Sequence, residues 1–291
     1  MSGAPAALER ALPLLRCPNC GGPLAATTTG AACDHGHSFD RARQGYLTLF
    51  GPRGRRFPGD TPDQVAARER FLGGGWYAPV ADAVADAVRV GSPAASSSPV
   101  VAEFGAGTGY YLARALDRLG DDALGLGAEI SAPAARRLAR AHRGLAALIC
   151  DTWEPLPLAD GALDALAVVF APRHPAEFAR VLRPGGVAVV AAPGEGHLDP
   201  LRDRLGMLGA EPGKDARLAD DFAGWEPLEE TVVDRTLELP RGAARDLALM
   251  GPSGVHLVAA DLDAALDRAC ADGAVLTTRL HVRVRVHRRP E

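Results

Sequence analysis

The sequence predicts an α/β fold, a parallel sheet wrapped by helices, preceded by a small cysteine-bearing module. Three observations predict it. Between Val100 and Ala192, unbroken apolar runs alternate with helical patterns, and a βαβα alternation of this kind implies a parallel sheet buried on both faces. A glycine-rich turn, Glu103-Phe-Gly-Ala-Gly-Thr-Gly109, follows the first apolar run and opens a helix. Three of the five cysteines crowd into residues 16–50.

Taken in order, residues 1–50 are expected to form the metal-binding module. Residues 51–75, rich in Gly, Arg and Pro, read as a linker or mobile loop. Near Trp76 a helical pattern begins, with Val80, Val84, Ala87 and Val88 at helical spacing, and it stops at Gly91. Residues 92–99 read as a surface loop. The segment 51–98 is thus a linker and connecting helix, and 99–291 is the larger domain. Strands are expected at 99–104, 123–130, 145–150, 163–170 and 186–192, with helices at 110–119, 133–142 and 175–182. The strict alternation Leu280-His-Val-Arg-Val-Arg-Val-His287 reads as a half-exposed antiparallel strand.

The chain has 291 residues, 47% of them hydrophobic. At roughly 150 residues per domain, that length suggests about two domains. No run reaches the ~18 apolar residues of a transmembrane helix, and the first 15 residues lack a basic start followed by an apolar stretch. A soluble, cytoplasmic protein with no membrane contact is expected. The net charge of −4 argues against a generic nucleic-acid binder. The distribution is less even. Arginines outnumber acids between Arg41 and Arg70, and again at the C-terminus, where Arg279, Arg283, Arg285, Arg288 and Arg289 face Glu291. That pattern permits an RNA partner; a homodimer is allowed but not demanded.

Cys17-Pro-Asn-Cys20 and Cys33-Asp-His-Gly-His37 supply two ligand pairs 12 residues apart. The spacing matches a structural Cys₃His zinc site with ligands Cys17, Cys20, Cys33 and His37. His35 is a rival for the fourth place. Four protein ligands leave no open position, so one structural Zn²⁺ is expected. Cys150 and Cys270 are isolated and read as core thiols.

In the glycine turn, Gly105, Gly107 and Gly109 let the backbone approach a ligand closely. Tyr110 stands where a dinucleotide fingerprint needs its third glycine, and the Lys-Ser or Lys-Thr of a P-loop is missing. An acid, Glu103, two residues ahead of the first glycine of Gly-x-Gly-x-Gly is instead the first motif of Rossmann-like class I S-adenosylmethionine methyltransferases. Glu129 at the second strand end suits the ribose hydroxyls, and Asp151 at the third suits the adenine. S-adenosyl-L-methionine is therefore the expected cofactor.

The sequence resembles the bacterial 23S rRNA guanine-N(1)-methyltransferases, including the type associated with tylosin and macrolide resistance. The resemblance rests on the cysteine segment running through Phe39-Asp-Arg-Ala-Arg-Gln-Gly-Tyr46, and on Gly59-Asp-Thr, Ala66-Ala-Arg68, Trp76-Tyr-Ala-Pro79, Phe170-Ala-Pro172, Leu182-Arg-Pro-Gly-Gly186, Pro193-Gly-Glu-Gly-His-Leu198 and Met250-Gly-Pro-Ser253. It departs at Glu129, where relatives carry Asp, and at Val255, where similar sequences carry Trp. The resemblance implies cofactor contacts from Tyr77, Ala106, Gly107 and His197. It also implies 23S rRNA as partner, with methylation of a guanine in the hairpin-35 loop of domain II.

Ring nitrogen 1 of guanine lies on the Watson–Crick edge, so the base must be unpaired or flipped to react. Phe170 could stack on it, and Arg173 or His174 could hydrogen-bond it, because all three follow the fourth strand. Arg41, Arg43 and Tyr46 are candidates for gripping RNA away from the chemistry. Two other readings stay open: a small-molecule methyltransferase with an accessory zinc knuckle, and a non-catalytic RNA-binding protein.

Overall fold

The computed structural model describes residues 6–91, 97–209 and 214–291, without the side chains of 214–217 and 272. Part of the expected surface loop, residues 92–96, lies outside these. The N-terminal segment starts with helix α1 (Ala6–Ala11) and carries short strands β1 (Ala25–Ala26), β2 (Gly30–Ala32) and β3 (Ser38–Asp40), which form an antiparallel three-stranded ribbon. Strand β4 (Leu47–Thr48) leaves the ribbon and becomes an edge of the main sheet. Helices α2 (Pro62–Gly73) and α3 (Ala78–Gly91) follow.

The main domain then alternates as its apolar runs require: β5 (Val100–Phe104), α4 (Tyr110–Leu119), β6 (Leu124–Glu129), α5 (Ala132–Leu138), β7 (Leu145–Ile149), β8 (Leu163–Val169), α6 (Pro175–Val181) and β9 (Leu182–Pro193). It closes with α7 (Asp199–Leu205), α8 (Lys214–Asp221), β10 (Glu226–Leu239), α9 (Arg241–Met250), α10 (Ala259–Ala269) and β11 (Leu276–Arg288). The eight-stranded sheet has the order β10-β11-β9-β8-β5-β6-β7-β4. Strands β4 to β9 pair in parallel, whereas β11 runs antiparallel to both β9 and β10. The order reverses between β5 and β8, and ligands of open α/β sheets bind beyond the strand carboxyl ends at such a point.

Alternate residues of each strand serve opposite faces. Val101, Ala165, Ala167 and Val189 pack with Val84 of α3, Leu112 of α4 and Leu247 of α9. Ala102, Phe104, Leu166 and Val190 pack with Leu8 of α1, Phe178 of α6 and with Cys17 and Phe39 of the ribbon. The ribbon therefore shares a core with the sheet. Strand β4, which follows it, is laid along the sheet edge, Leu47 opposite Leu148 and Thr48 opposite Ile149.

Three expectations change. The segment expected as a linker or mobile loop holds α2, started by Thr61, whose side chain accepts the Gln64 amide while Gln64 accepts the Thr61 amide, with Pro62 in the first turn. Tyr46, an expected RNA contact, is only 9% exposed and packs into the core that includes Phe71, so it offers no stacking face. The C-terminal arginine surplus is also answered locally, because β10 brings Glu226, Glu230 and Asp234 against Arg288, Arg283, Arg285 and Arg279 of β11. That end of the chain is not a basic patch.

Candidate active site and metal centre

The metal centre is built by two tight turns. Gly21 donates its amide to the Cys17 carbonyl and Gly36 donates to that of Cys33, each at 2.8–2.9 Å, folding each ligand pair back on itself. The ligand atoms of Cys17, Cys20, Cys33 and His37 all lie within 4.8 Å of one another. Cys20 Sγ to Cys33 Sγ is 3.7 Å, and His37 Nδ1 lies 3.5 Å from Cys17 Sγ and 3.3 Å from Cys33 Sγ. Metal–ligand bonds of ~2.3 Å to sulfur and ~2.0 Å to nitrogen at tetrahedral angles give edges of about 3.8 and 3.5 Å, so the four residues fit one zinc. His35 Nδ1 reaches only Cys20 Sγ, at 3.3 Å, on the exposed side, and His37 is the better fourth ligand. Burial pushes the Cys33 thiol up, but the His37 and His35 amides and the His37 ring outweigh it and hold it at about 6, which favours the thiolate that a metal needs. Cys150 is buried, and burial lifts its thiol to about 12; Cys270 is partly buried against the core. Both behave as packing residues.

The second site opens at the carboxyl ends of β5 and β8. Arg68, Tyr77, Glu103, Gly105, Ala106 and Phe170 are among the residues lining one cleft there. Gly105, Gly107 and Gly109 all adopt positive φ. A Cβ at Gly105 would sit 2.6 Å from Ala171 Cβ, and one at Gly109 would sit 2.8 Å from Leu138, so the turn can be made only from glycine. Glu129 is buried and holds the turn from below: Oε2 accepts the Gly107 amide at 2.8 Å, and Oε1 accepts those of Ile130 and Ser131 at 2.7 Å. Glu103 is 1% exposed, and its Oε2 accepts the Leu112 amide at 2.9 Å. Burial pushes its carboxyl up to about 8, the Leu112 amide opposing and the Glu129 charge adding.

Asp151 accepts the Trp153 amide through Oδ1, whereas its buried Oδ2 has no partner among the described residues. An unpaired buried acceptor costs free energy that a ligand donor would recover. Together with the glycine turn, this orphan oxygen shows that the residues fit a nucleoside-bearing cofactor at the ends of β5, β6 and β7.

An aromatic cluster closes the other side. Tyr77, Phe170 and His197 lie with ring centroids 6.0–6.4 Å apart, Phe170 and His197 near-parallel at 23°. His197 is buried, its Nδ1 accepts the His281 amide at 3.2 Å, and its Nε2 lies 3.5 Å from Tyr77 Oη. Phe170 is 39% exposed and holds a left-handed backbone, φ +52°, a conformation that costs a non-glycine residue about 1–2 kcal/mol.

Arg173 and His174 are committed elsewhere. Arg173 pairs with Asp221 at 2.8 Å, and His174 Nδ1 accepts the Glu177 amide as the cap of α6. Base recognition by these two therefore has no support in the geometry. Arg41 is half-buried and Arg43 exposed. Sequence reasoning gave Arg68, Phe57 and Trp153 no role at this face. The capping pair Thr61 and Gln64 could have exposed the helix that carries Arg68; nothing in the local sequence marks Trp153.

Both segments of the chain match known families. A zinc-ribbon family model described as RlmA, N-terminal, matches residues 15–52, and one described as Methyltransferase domain matches residues 102–190. The chain is 45% identical over 270 residues to a Micromonospora griseorubida protein that bears the name of a 23S rRNA (guanine-N(1)-)-methyltransferase, covering 87% of this chain and 90% of that one. It is 42% identical over 243 residues to the 23S rRNA (guanine(748)-N(1))-methyltransferase of Streptomyces fradiae, covering 83% and 86%. With a ribbon whose four ligands suit zinc and a crevice whose orphan acceptor suits a nucleoside, the chain belongs to the 23S rRNA (guanine-N(1)-)-methyltransferase family.

Proposed function

We propose that this protein transfers a methyl group from S-adenosylmethionine to ring nitrogen 1 of a guanine in 23S rRNA, in the hairpin-35 loop of domain II, and acts in the cytoplasm. Resistance to macrolides of the tylosin type is the proposed consequence. S-adenosylmethionine, when bound, supplies a methyl group on a sulfonium centre whose positive charge disappears on transfer. The chain's task is then placement rather than covalent chemistry. Glu103, Glu129 and Asp151 give the crevice an acidic wall, and Tyr77 and His197 buttress Phe170.

One observation carries the RNA reading. The Phe, Trp and Tyr rings exposed among the described residues are Phe57, Trp153 and Phe170, exposed by 49, 51 and 39%. Phe170 follows β8 and Trp153 lies just beyond Asp151 after β7, so both stand at the carboxyl edge of the sheet. The Phe57 loop is tied to the same edge, because Arg53 and Arg56 both bond Glu154, at 2.7 and 3.2 Å. Aromatic faces interleaved with arginines suit unpaired bases and their phosphates. In this reading Phe170 stacks on the target guanine.

The test is methylation of 23S rRNA fragments with labelled cofactor, followed by digestion and mass spectrometry. Label in 1-methylguanosine from the hairpin is expected. Label in another nucleoside, or turnover on a metabolite with none on RNA, overturns the proposal. No helix among the described residues is long and apolar enough to cross a membrane.

A further inference from the structure

Three short stretches that carried the resemblance without a role, Gly59-Asp-Thr61, Ala66-Ala-Arg68 and Met250-Gly-Pro-Ser253, converge on one guanidinium. Arg68 Nη2 donates to Asp60 Oδ2 at 2.6 Å and to the Met250 carbonyl at 2.7 Å. Each partner is itself fixed. Gly59 has φ +68°, and a Cβ there would lie 2.8 Å from Ser131 Cβ, while Ser131 Oγ donates to the Asp60 carbonyl at 2.6 Å. Arg70 grips Asp246 with two nitrogens and so ties α2 to α9, the helix that ends at Met250.

What these contacts aim is the rest of the Arg68 fork. Its Nε is buried with no partner among the described residues, and Nη1 lies 3.5 Å from where a Cβ of Gly107 would stand. Among the described residues lining the cleft, Arg68 is the only cation and Glu103 the only carboxylate. A buried, unsatisfied guanidinium N–H calls for an acceptor, and a charged acceptor such as a carboxylate makes the stronger hydrogen bond. A guanidinium and a carboxyl group beside a glycine turn match an α-amino acid, whose carboxylate and ammonium can pair with them.

We propose that Arg68 receives the α-carboxylate of the cofactor's methionine tail, with Asp60 and the Met250 carbonyl as positioning groups and Glu103 toward the α-ammonium. The inference rests on the cofactor reading above and adds the receptor that reading lacked.

The test is calorimetry on the full chain with two ligands. S-adenosylhomocysteine has the amino-acid tail, and 5′-methylthioadenosine keeps the nucleoside and sulfur without it. Arg68→Met should weaken S-adenosylhomocysteine about 10- to 100-fold, the range for a charge-assisted hydrogen bond, and leave 5′-methylthioadenosine within about twofold. Asp60→Asn should show a smaller loss with the same selectivity. Equal weakening of both ligands overturns the proposal, because a general disturbance of the site moves both; so does no weakening of either. Wild type binding neither ligand sinks the cofactor reading instead. If Arg68→Met does not fold, wild type alone decides: it should bind S-adenosylmethionine at least tenfold more tightly than the decarboxylated cofactor, and equal affinity overturns the proposal.

Discussion

Glu103→Gln should stabilise the fold at alkaline pH while weakening cofactor binding. The buried Glu103 carboxyl ionises only near 8 in the folded chain, against about 4.5 when exposed, because burial disfavours its charge and neighbouring Glu129 adds to the effect. Between those two values the native state keeps a proton that the unfolded state has lost, so stability falls as pH rises from about 4.5 to about 8. At 1.36 kcal/mol per unit, the loss reaches about 5 kcal/mol above pH 8. Glutamine has the same shape, keeps an oxygen for the Leu112 amide and never ionises. Urea denaturation at pH 5, 6.5 and 8.5 should therefore show the two proteins nearly equal at pH 5 and the variant ahead by several kcal/mol at pH 8.5. Calorimetry with S-adenosylhomocysteine should show the opposite sign for binding. In wild type near pH 7, binding should release up to one proton, read from two buffers of different ionisation enthalpy; the variant should release none. A stability difference that does not change with pH would refute the buried-acid argument.

Other outcomes follow from named contacts. Cys17→Ser, or a strong chelator, should remove the single zinc by elemental analysis and lower the melting point of the whole chain, since Cys17 and Phe39 share a core with Phe104 and Leu126; an unchanged main transition would show an independent ribbon. Phe170→Gly relieves the left-handed strain, so the fold should persist, while the KM for a hairpin fragment should rise tenfold or more with the loss of one stacked base. Arg41→Ala with Arg43→Ala should reduce the slope of log RNA affinity against log salt by about 0.7–0.9 for each phosphate no longer neutralised, with cofactor affinity within twofold; an unchanged slope removes this pair from RNA binding. Trp153→Ala should weaken RNA fragments at constant cofactor affinity, checked by filter binding beside calorimetry.

The parts of the fold that were legible are those where one force dominates. Strands β5 to β8 are buried on both faces, so they read as largely apolar runs, and β11 betrays itself by alternation because one face is wet. The zinc ligands were legible because coordination fixes their spacing. Helix α2 was hidden: Pro62, Arg68, Glu69, Arg70 and Gly73 make it look like loop, and its helicity depends on the cap at Thr61 and on packing against α9. Strand β10 was hidden because it is an exposed edge with only Val233, Leu237 and Leu239 buried. In the site, the acids at strand ends were readable from position alone. The duties of Arg173 and Tyr46 were not, since Asp221 is 48 residues from Arg173 and Tyr46 is buried only by the folded core.

Charge is sorted by depth. The acids Glu103, Glu129 and Asp151 are all buried at the floor of the crevice, at 1, 8 and 4% exposure, whereas Arg43, Arg53, Arg55 and Arg56 are exposed. Acids at this floor, Glu103 among them ionising as a cation approaches, favour a sulfonium over phosphates. In the proposed reading, the backbone of a nucleic acid would stay at these exposed arginines while an uncharged base enters past Phe170. Strand β4 pairs with β7, and β7 ends beside Asp151 and Trp153. The strand that follows the ribbon is thus hydrogen-bonded to the strand that leads to Asp151, so the cysteine module and the crevice are held in one sheet.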